Sequence, residues 1–373
     1  MNTKAKILVV DDEPGMLRAV ERILAPEHAV TTVASPIEAL EIAGTMHPDV
    51  VICDISMPRM DGFEVMSRLK EARRDVDVII MTGLSEPDAQ LVRAIRERAF
   101  YFIQKPFNRD VMRTLVERCL ELRRLRLSEH KHTKRMEREL AEARTFQQSM
   151  LPPPGATVEG IGIAARYVAC SELCGDIFDY ASAGPGRAAV LVADVSGHGT
   201  SAALLTSVVK SAFRSAAVDH YEPRAVAARV VDGIRTFSDR RFVTLIAATI
   251  DRRAQQLRIT NAGHPPSVVR KADGRLIMTD PTGPMISPAF VGETWEETLV
   301  PISPGDDLVL YTDGITDVAG EGGLFSQARV IEAIRACNQG GEALIDSILS
   351  AAREFAGGRP AGDDLTLLTA RFS

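Results

Sequence analysis

The sequence has no uncharged apolar run that approaches the roughly 18 to 20 residues needed to cross a bilayer. Its first apolar stretch, residues 7–10, stops at two aspartates, so it is far too short to form the core of a signal peptide. We therefore expect a cytoplasmic protein with no membrane partner.

Cysteine is scarce, and positive charge is not in excess. The five cysteines are an odd number scattered along the chain, which predicts reduced thiols rather than a disulfide framework. Cys170 and Cys174 lack a second pair of cysteine or histidine ligands nearby, which disfavours a zinc site. The formal net charge of -6 lacks the basic excess that nonspecific nucleic-acid binding usually needs, so no nucleic-acid partner is predicted.

The amino-terminal part of the chain alternates short apolar runs with segments of helical periodicity. Because 373 residues exceed one ordinary core, two domains are expected. Strands that are almost wholly apolar, in strict alternation with helices, predict a parallel sheet covered on both faces. The predicted strands are residues 7–10, 29–33, 50–53, 78–81 and 101–103, and the last intervening helix is residues 86–98. This pattern indicates an α/β doubly wound, flavodoxin-like domain of five parallel strands at residues 4–122.

A charged segment follows in which neither glycine nor proline occurs. Residues 109–150 are predicted to form one helical linker, roughly 60 Å long at about 1.5 Å per residue. One heptad position is filled by Leu115, Leu122, Glu129, Met136, Ala143 and Met150. Because the sequence SEHKHTKR breaks this seam, the linker is interpreted as a weak coiled coil that joins a homodimer or as a helical lever. A solvated charged helix is the alternative.

Beyond residue 155 strands succeed one another instead of alternating with helices. The segments RFVTLIAATIDRRAQQLRITNAG and PSVVRKADGRLIM predict antiparallel strands, with Asp273 and Gly274 at a hairpin turn. The predicted helices are residues 200–218, 223–237, 327–337 and 342–355. This arrangement predicts an α+β fold, an αββα sandwich, for a second domain at residues 155–373.

Polar residues end the predicted parallel strands of the first domain. Asp11 and Asp12 follow the first strand, Asp54 the third, Thr82 the fourth and Lys105 the fifth. The carboxyl ends of parallel strands share one edge of a sheet, so these side chains are expected to meet. Three clustered carboxylates repel one another, which favours binding a hard ion such as Mg²⁺. One carboxylate can then attack phosphorus, while the lysine and the threonine stabilise the phosphoryl oxygens.

The motifs VVDDE, CDISMPRMDG, MTG and KPF, in this order and spacing, resemble the receiver (CheY-like) domain of bacterial response regulators. The resemblance implies that Asp54 is the phospho-acceptor and that a sensor histidine kinase is the partner. It implies Mg²⁺ ligation by Asp12, Asp54 and the Ser56 carbonyl, with Asp11 acting through water. The resemblance also implies that Thr82 and Lys105 respond to phosphorylation of Asp54. The rotating aromatic falls on Phe102, where tyrosine is more usual.

Four further aspartates lie at predicted strand ends or tight turns of the second domain. They are Asp176 in CGDIFDY, Asp194 in ADVSGHG, Asp313 in TDGITD and Asp363 in GDDLTLL. Carboxylates without histidine or cysteine ligands select Mg²⁺ or Mn²⁺ rather than zinc. Two such ions about 3.5 to 4 Å apart activate a shared water and orient a phosphate for in-line attack, so no protein nucleophile is needed.

These motifs, with FQQSMLP and NAGHPP, resemble the SpoIIE/RsbU type of the PPM family of metal-dependent serine/threonine phosphatases, from about residue 146 to residue 372. The resemblance implies two Mn²⁺ or Mg²⁺ ions bridged by Asp194, with help from the Val195 carbonyl. It implies that Asp313 and Asp363 complete one ion and that Asp176 serves the other. The residues implied to support these ligands from outside are Gly197, His198, Gly199 and Asp364.

Several residues near these motifs admit a structural interpretation. His198 is interpreted as a polar turn residue rather than a general acid, because a metal-bound water needs little help, and His264 is treated likewise. Cys174 stands where the family prefers glycine, which predicts a crowded turn and lower activity. The acids interpreted as ordinary turn residues rather than catalytic residues are Asp179, Asp306, Asp307 and Asp317.

Together the two resemblances predict a two-component response regulator with phosphatase output. Phosphorylation of Asp54 adds about 1.5 to 2 negative charges, and the helical linker is expected to carry the change to the Asp176 turn. The substrate implied by resemblance is a phosphorylated anti-sigma-factor antagonist in a partner-switching pathway. The alternative is a catalytically weak or inactive phosphatase-fold module that binds and sequesters a partner. The motif CGDIF also suggests a nucleotide cyclase, but the sequence around it lacks the βαββα pattern of that class of enzyme.

Overall fold

The computed structural model describes residues 4–72, 75–83, 101–170, 172–197, 199–235, 241–290, 292–360 and 362–373. The chain divides into two compact units, residues 1–136 and 137–373. The predicted helix at residues 86–98 and the side chain of His198 lie outside the described residues. In the parts that are described, no helix combines the length and apolarity needed to cross a bilayer.

The first unit contains a parallel sheet of five strands with helices on both faces. Its strands are β1 (Lys6–Val10), β2 (Ala29–Val33), β3 (Val50–Asp54), β4 (Asp77–Thr82) and β5 (Tyr101–Gln104), in the order β2-β1-β3-β4-β5. Its helices are α1 (Pro14–Leu24), α2 (Pro36–Met46), α3 (Gly62–Ala72) and the first part of α4 (Arg109–Met150). One apolar cluster joins the sheet to α2 and α3, and another joins it to α1 and α4. The predicted doubly wound fold is confirmed.

The linker is one uninterrupted helix, α4, as its lack of glycine and proline predicts. In the first unit its buried residues, including Met112, Val116 and Cys119, pack under the sheet. Residues 124–139 are all exposed, and burial resumes near the carboxyl end, where Gln147 is only 6% exposed. The exposed middle leaves both the coiled coil and the solvated helix open, so the coiled coil stays a prediction.

Two antiparallel sheets pack face to face in the second unit. One consists of β8 (Asp176–Gly184), β9 (Arg187–Val195), β10 (Val243–Asp251), β11 (Gln256–Ala262) and β14 (Thr298–Pro301), in the order β14-β11-β10-β9-β8. The other consists of β6 (Gly155–Val158), β7 (Ile161–Val168), β12 (Ser267–Arg270), β13 (Leu276–Thr279), β15 (Asp307–Tyr311) and β18 (Leu365–Phe372), in the order β13-β12-β15-β18-β7-β6. An apolar cluster fills the space between the sheets.

Helices cover the outer face of each sheet. They are α5 (Thr200–Ser215), α6 (Pro223–Ile234), α7 (Asp313–Thr316), α8 (Ser326–Ala336) and α9 (Glu342–Ala356), with short 3-10 helices at Ala216–Asp219 and Pro288–Phe290 and a small hairpin of β16 (Ala319–Gly320) and β17 (Gly323–Leu324). One apolar cluster holds α5 and α6 against the first sheet, and another holds α8 and α9 against the second. The predicted αββα sandwich is confirmed, as is the hairpin turn at Gly274, where φ is +86°.

Glycine is required where α3 begins beside the end of β3. A Cβ atom on Gly62 would lie 2.1 Å from the carbonyl oxygen of Asp54, whereas a Cβ atom on Gly44 in α2 would meet nothing within 4 Å. We predict that Gly62→Ala destabilises the first unit by about 1 to 3 kcal/mol, because the backbone must shift to relieve the contact. Gly44→Ala, the matched control, is expected to stabilise by about 0.5 to 1 kcal/mol. Urea unfolding of both full-length variants measures this, and equal midpoints would contradict it.

Candidate functional site

The first acidic cluster forms at the carboxyl edge of the parallel sheet. β1 and β3 are neighbours, so Asp11, just beyond β1, lies beside Asp54, the last residue of β3. Both are buried, at 0% and 5% exposure, whereas Asp12 is exposed. Ligand oxygens of these three residues lie within 4.8 Å of one another. The structure thus brings together the carboxylates that the sequence predicted for Mg²⁺.

Lys105 links the two buried carboxylates. Its Nζ atom lies 2.6 Å from an oxygen of Asp11 and 2.6 Å from an oxygen of Asp54. Burial alone lowers the pKa of a lysine, but the hydrogen bonds to Asp11 and Asp54 outweigh it and raise the pKa of Lys105. Burial raises the pKa of Asp11 despite its bond to Lys105. A charged ammonium group is therefore held against the predicted phospho-acceptor.

The remaining predicted receiver residues surround Asp54. The backbone N–H of Ser56 donates to Asp54 at 3.0 Å, so the Ser56 backbone lies at the acceptor. Thr82 ends β4 and is 1% exposed, and its hydroxyl donates to the Gly83 carbonyl at 3.2 Å. Phe102 in β5 is half-buried and packs against the apolar cluster of the sheet. Their roles in a response stay predictions.

The second acidic cluster gathers residues from four elements of the sandwich. Asp176 begins β8 and is the register partner of Asp194 near the end of β9. Asp313 begins α7, and Asp363 precedes β18. Asp176 is 2% exposed, Asp194 is partly buried, and Asp313 and Asp363 are exposed. The cluster therefore has a buried floor and an open side.

Burial and mutual repulsion raise the pKa values of three of these carboxylates. Burial, with added repulsion from Asp313 and Asp363, raises the pKa of Asp194 to about 7. Burial and repulsion from Asp363 raise the pKa of Asp313, and burial with repulsion from Asp194 raises that of Asp176 well above its usual range. Divalent cations relieve such repulsion, so the donor set suits Mg²⁺ or Mn²⁺.

Three oxygen atoms converge beside Gly175. A Cβ atom there would lie 2.6 Å from the Val195 carbonyl oxygen, 3.2 Å from Asp194 Oδ1 and 3.2 Å from the Gly197 carbonyl oxygen. Gly175 leaves this space free of a side chain. The predicted ligands Asp194 and Val195 thus present oxygens on the same side of the turn, which is an arrangement that fits a hard cation.

The four predicted metal aspartates do not form one tight group. Among the described residues, the sets of three whose ligand atoms all lie within 4.8 Å are Asp11, Asp12, Asp54 and, separately, Cys170, Asp363, Asp364. A site for two ions about 3.5 to 4 Å apart distributes its ligands between them, so a single tight set is not required. The assignment of each aspartate to an ion stays a prediction.

Asp364 and Thr312 support the cluster from outside. Asp364 is buried and accepts hydrogen bonds of 2.9 Å from the backbone N–H groups of Cys170 and Gly175. Thr312, which is 0% exposed, donates to Asp176 at 2.8 Å and accepts from the Thr366 N–H at 2.9 Å. These bonds orient carboxylates and turns rather than adding ligands, as supporting residues do in metal sites.

The loop after β9 depends on backbone conformations that favour glycine. Gly197 and Gly199 have φ values of +85° and +83°, in agreement with their predicted part in the turn. The guanidinium group of Arg241 donates to the Ser196 carbonyl at 2.7 Å and fixes this loop. The sequence around Arg241 carries no signal for this contact, because its partner lies 45 positions away.

His264 is a buried structural residue. Its Nδ1 atom lies 2.7 Å from the Thr244 hydroxyl, and its backbone N–H donates to Asn261 at 2.8 Å. Burial lowers the pKa of His264 to about 3, so the ring is neutral at physiological pH. This agrees with the structural interpretation of NAGHPP.

The other acids near the motifs have structural partners. Asp179 is 0% exposed and pairs with Lys210 at 2.9 Å and with Arg214 on α5. Asp306 and Asp307 lie at the start of β15, and Asp307 pairs with Arg270 at 2.8 Å. Asp313 follows the other end of β15, so both acids lie a strand's length from the cluster. Asp317 caps α7 and adds to the repulsion on Asp313.

The sequence carries little signal for two other contributors, Thr312 and Gln147. Thr312 precedes a predicted ligand within TDGITD, and its hydroxyl was identifiable only from that adjacency. Gln147 in FQQSMLP forms hydrogen bonds to the backbone of Cys174. A buried glutamine in a charged helix has no distinct sequence signal, and only its place in the motif marks it.

The raised pKa of Asp194 predicts how metal ions stabilise the second unit. The folded chain keeps a proton on Asp194 up to pH about 7, whereas the unfolded chain loses it near the ordinary value of 3.8. The stability that protonated Asp194 contributes therefore falls as the pH rises from about 3.8 to about 7. Above this range a bound cation can replace the proton. We expect Mn²⁺ to raise the melting temperature of this unit more at about pH 8 than at about pH 5.5. Differential scanning fluorimetry measures both shifts.

Asp194→Asn provides the comparison for that experiment. The variant lacks the Asp194 carboxylate, so at about pH 8 Mn²⁺ should raise its melting temperature much less than that of the wild type. A wild-type shift that is equal at the two pH values would contradict the link between Asp194 and the metal.

Comparison with known proteins agrees with this two-part architecture. The family model described as Stage II sporulation protein E (SpoIIE) matches residues 184–373, and the model described as response regulator receiver domain matches residues 7–117. Phosphoserine phosphatase RsbP of Bacillus subtilis is 29% identical over 185 residues, which cover 48% of this chain and 45% of RsbP. The DNA-binding transcriptional regulator NtrC of Escherichia coli is 38% identical over 115 residues, which cover 31% of this chain and 24% of NtrC.

The chain spans less than half the length of either relative. Among solved structures, the SiaA-PP2C domain of Pseudomonas aeruginosa aligns with a TM-score of 0.58 and 24% identity, covering 65% of this chain and 99% of that domain. This likeness shows the PP2C fold. Because the SpoIIE model matches more than half of its residues, the chain belongs to the SpoIIE family and carries a response regulator receiver domain ahead of its PPM-type domain.

Proposed function

We propose that this protein is a response regulator whose output is metal-dependent dephosphorylation of phosphoserine or phosphothreonine in a protein. The observation that carries the proposal is the group of oxygens beside Gly175, together with the mutually repelling carboxylates of Asp194, Asp313 and Asp363. The similarity to a protein named as a phosphoserine phosphatase supports the same chemistry.

The proposed metal ligands are Asp176, Asp194, the Val195 carbonyl, Asp313 and Asp363. Two Mn²⁺ or Mg²⁺ ions at these residues would supply an activated water and neutralise charge on the phosphate. The exposed carboxylates of Asp313 and Asp363 leave the cluster open to a phosphorylated residue on a protein surface. Neutral, buried His264 keeps the loop in place and contributes no proton at physiological pH.

The receiver would control this output through Asp54. Asp12, Asp54, the Ser56 carbonyl and, through water, Asp11 are the proposed ligands of Mg²⁺. Lys105 already contacts two of these carboxylates, so its ammonium group is available to a phosphoryl oxygen on Asp54. The proposed phosphoryl donor is a sensor histidine kinase, and Thr82 and Phe102 are proposed to follow the added charge.

The proposed substrate is a phosphorylated anti-sigma-factor antagonist, and the proposed compartment is the cytoplasm. Both come from the family resemblance. A homodimer through α4 is proposed because residues 124–139 are exposed and include the apolar side chains of Leu125 and Met136, which are 59% and 61% exposed. Burying such side chains between two helices is the usual reason for a coiled coil.

Loss of the Asp194 carboxylate, which is proposed to bridge the two metal ions, should slow hydrolysis strongly. We expect Asp194→Asn to lower the Mn²⁺-dependent rate on p-nitrophenyl phosphate and on the phosphorylated antagonist by about a hundredfold or more, because charge stabilisation at the reacting phosphate is lost. Asp273→Asn, in the hairpin turn between β12 and β13, is the matched control and should keep the wild-type rate. Steady-state assays of the full-length proteins test this.

The same assays separate the enzyme from a binding module. Wild-type protein that binds the phosphorylated antagonist but releases no phosphate at saturating Mn²⁺ would favour the module. Wild-type activity retained in Asp194→Asn would remove the proposed metal centre.

Receiver phosphorylation should change the phosphatase rate. We expect beryllofluoride or acetyl phosphate to alter the rate by about fivefold or more in the wild type, which is within the usual range of coupling between two sites. Asp54→Ala should abolish the response because it removes the phospho-acceptor, and it should keep the unstimulated rate because the acidic cluster of the second domain is unchanged. Equal wild-type rates with and without the phosphoryl analogue would show that the receiver does not control the second domain.

A further inference from the structure

Gln147 is a buried amide at the end of a highly charged helix. It is 6% exposed, whereas its neighbour Phe146 is 66% exposed and Gln148 is also exposed. The end of α4 is anchored beside it, because Met150 receives a hydrogen bond from Ser207 on α5 and Leu151 packs against the apolar clusters of the sandwich. Burying an amide is costly unless its hydrogen bonds are satisfied, so the Gln147 carboxamide needs partners within the second unit.

Three hydrogen bonds satisfy the Gln147 carboxamide. Its oxygen accepts from the backbone N–H of Cys174 at 3.1 Å, and its nitrogen donates to the Cys174 carbonyl at 2.7 Å. The same nitrogen donates to the Thr206 hydroxyl on α5 at 3.3 Å. Because one backbone residue is both donor and acceptor to the amide, the side chain fixes the orientation of the peptide groups on each side of Cys174.

Those peptide groups begin the turn that leads to the acidic cluster. Gly175 follows at once, with its N–H bonded to Asp364 at 2.9 Å and its carbonyl accepting from the Val195 N–H at 3.0 Å. Asp176 comes next and accepts from Thr312 at 2.8 Å. Gln147 thus holds the first residue of a turn whose second residue borders the oxygens of Asp194 and Val195.

We propose that Gln147 is a positioning residue that sets the affinity of the acidic cluster for divalent cations by holding the turn of residues 174–176. This deepens the proposed function and rests on it for the identity of the ligand. The side chain lies on a helix that runs without a break from Arg109 to Met150. A rotation or shift of the last turns of α4 would move the carboxamide away from Cys174 and loosen the turn at Asp176.

Substitution of Gln147 by methionine tests the proposal in the full-length chain. Methionine has a similar length but cannot replace the two donated bonds and the accepted one. Loss of a residue that orients metal ligands typically weakens metal binding by about 10- to 100-fold, and we expect a loss in this range. Mn²⁺ binding is measured by electron paramagnetic resonance of the free ion. Any Mn²⁺ held by the receiver cluster is common to all variants, so differences report the second domain.

Gln148→Met is the matched control, because the same change is made one residue away on the exposed side of α4. It should bind Mn²⁺ as the wild type does. In assays with p-nitrophenyl phosphate, Gln147→Met should need correspondingly more Mn²⁺ for half-maximal rate and regain a rate close to that of the wild type at saturation. A merely structural residue would lower the maximal rate without shifting the Mn²⁺ dependence. Unchanged Mn²⁺ affinity in folded Gln147→Met would overturn the proposal.

A second pair of variants covers the case in which Gln147→Met does not fold, as judged by circular dichroism. Thr206→Val removes one bond to the carboxamide and should weaken Mn²⁺ binding, whereas Thr206→Ser keeps the hydroxyl and should restore it. Wild-type affinity in Thr206→Val would then overturn the proposal. If the wild type binds Mn²⁺ but hydrolyses no ester, and Gln147→Met still weakens binding, the positioning role stands and the proposed phosphatase activity fails.

Discussion

Repulsion between carboxylates is the constraint on which both halves of this protein depend. In the receiver, Asp11 and Asp54 are buried side by side, and Lys105 between them supplies the opposite charge. In the second domain the pKa values of Asp176, Asp194 and Asp313 are raised. Folding places these acids together at a cost in free energy, and a bound cation offsets part of that cost. The stability of such a site therefore depends on whether its cation is bound.

The sequence predicted the fold well because local chemistry and overall topology agree. Apolar strands in alternation with helices admit few arrangements besides a doubly wound sheet, and successive antiparallel strands led to the sandwich. The acidic residues were also predictable, since Asp54 ends a strand and Asp194 lies one residue before the end of another. Strand ends of neighbouring strands meet whatever the side chains between them, so the clustering follows from topology.

The supporting contacts could not be predicted in the same way. Thr312 reaches Asp176 across 136 residues, and Gln147 reaches Cys174 across 27. Each depends on where two separate elements pack, which periodicity does not encode. Sequence motifs can also suggest site residues that are not in the site. Asp306 and Asp307 resemble site residues in sequence, yet they lie at the start of β15, away from the acidic cluster. They form ion pairs with Lys271 and Arg270.

Burial also determines how the two cysteines nearest the acidic cluster, Cys170 and Cys174, react. The thiol of Cys174 is 0% exposed, and burial raises its pKa far above neutrality. Cys170 is exposed as a residue, but its thiol is partly buried beside Asp364. Both effects raise the pKa of this thiol to about 11, so little thiolate is present at neutral pH. Peroxides attack thiolates rather than thiols, and the proposed ligands are carboxylates and a carbonyl oxygen. Oxidants that silence thiol-dependent phosphatases would therefore leave this chemistry largely untouched.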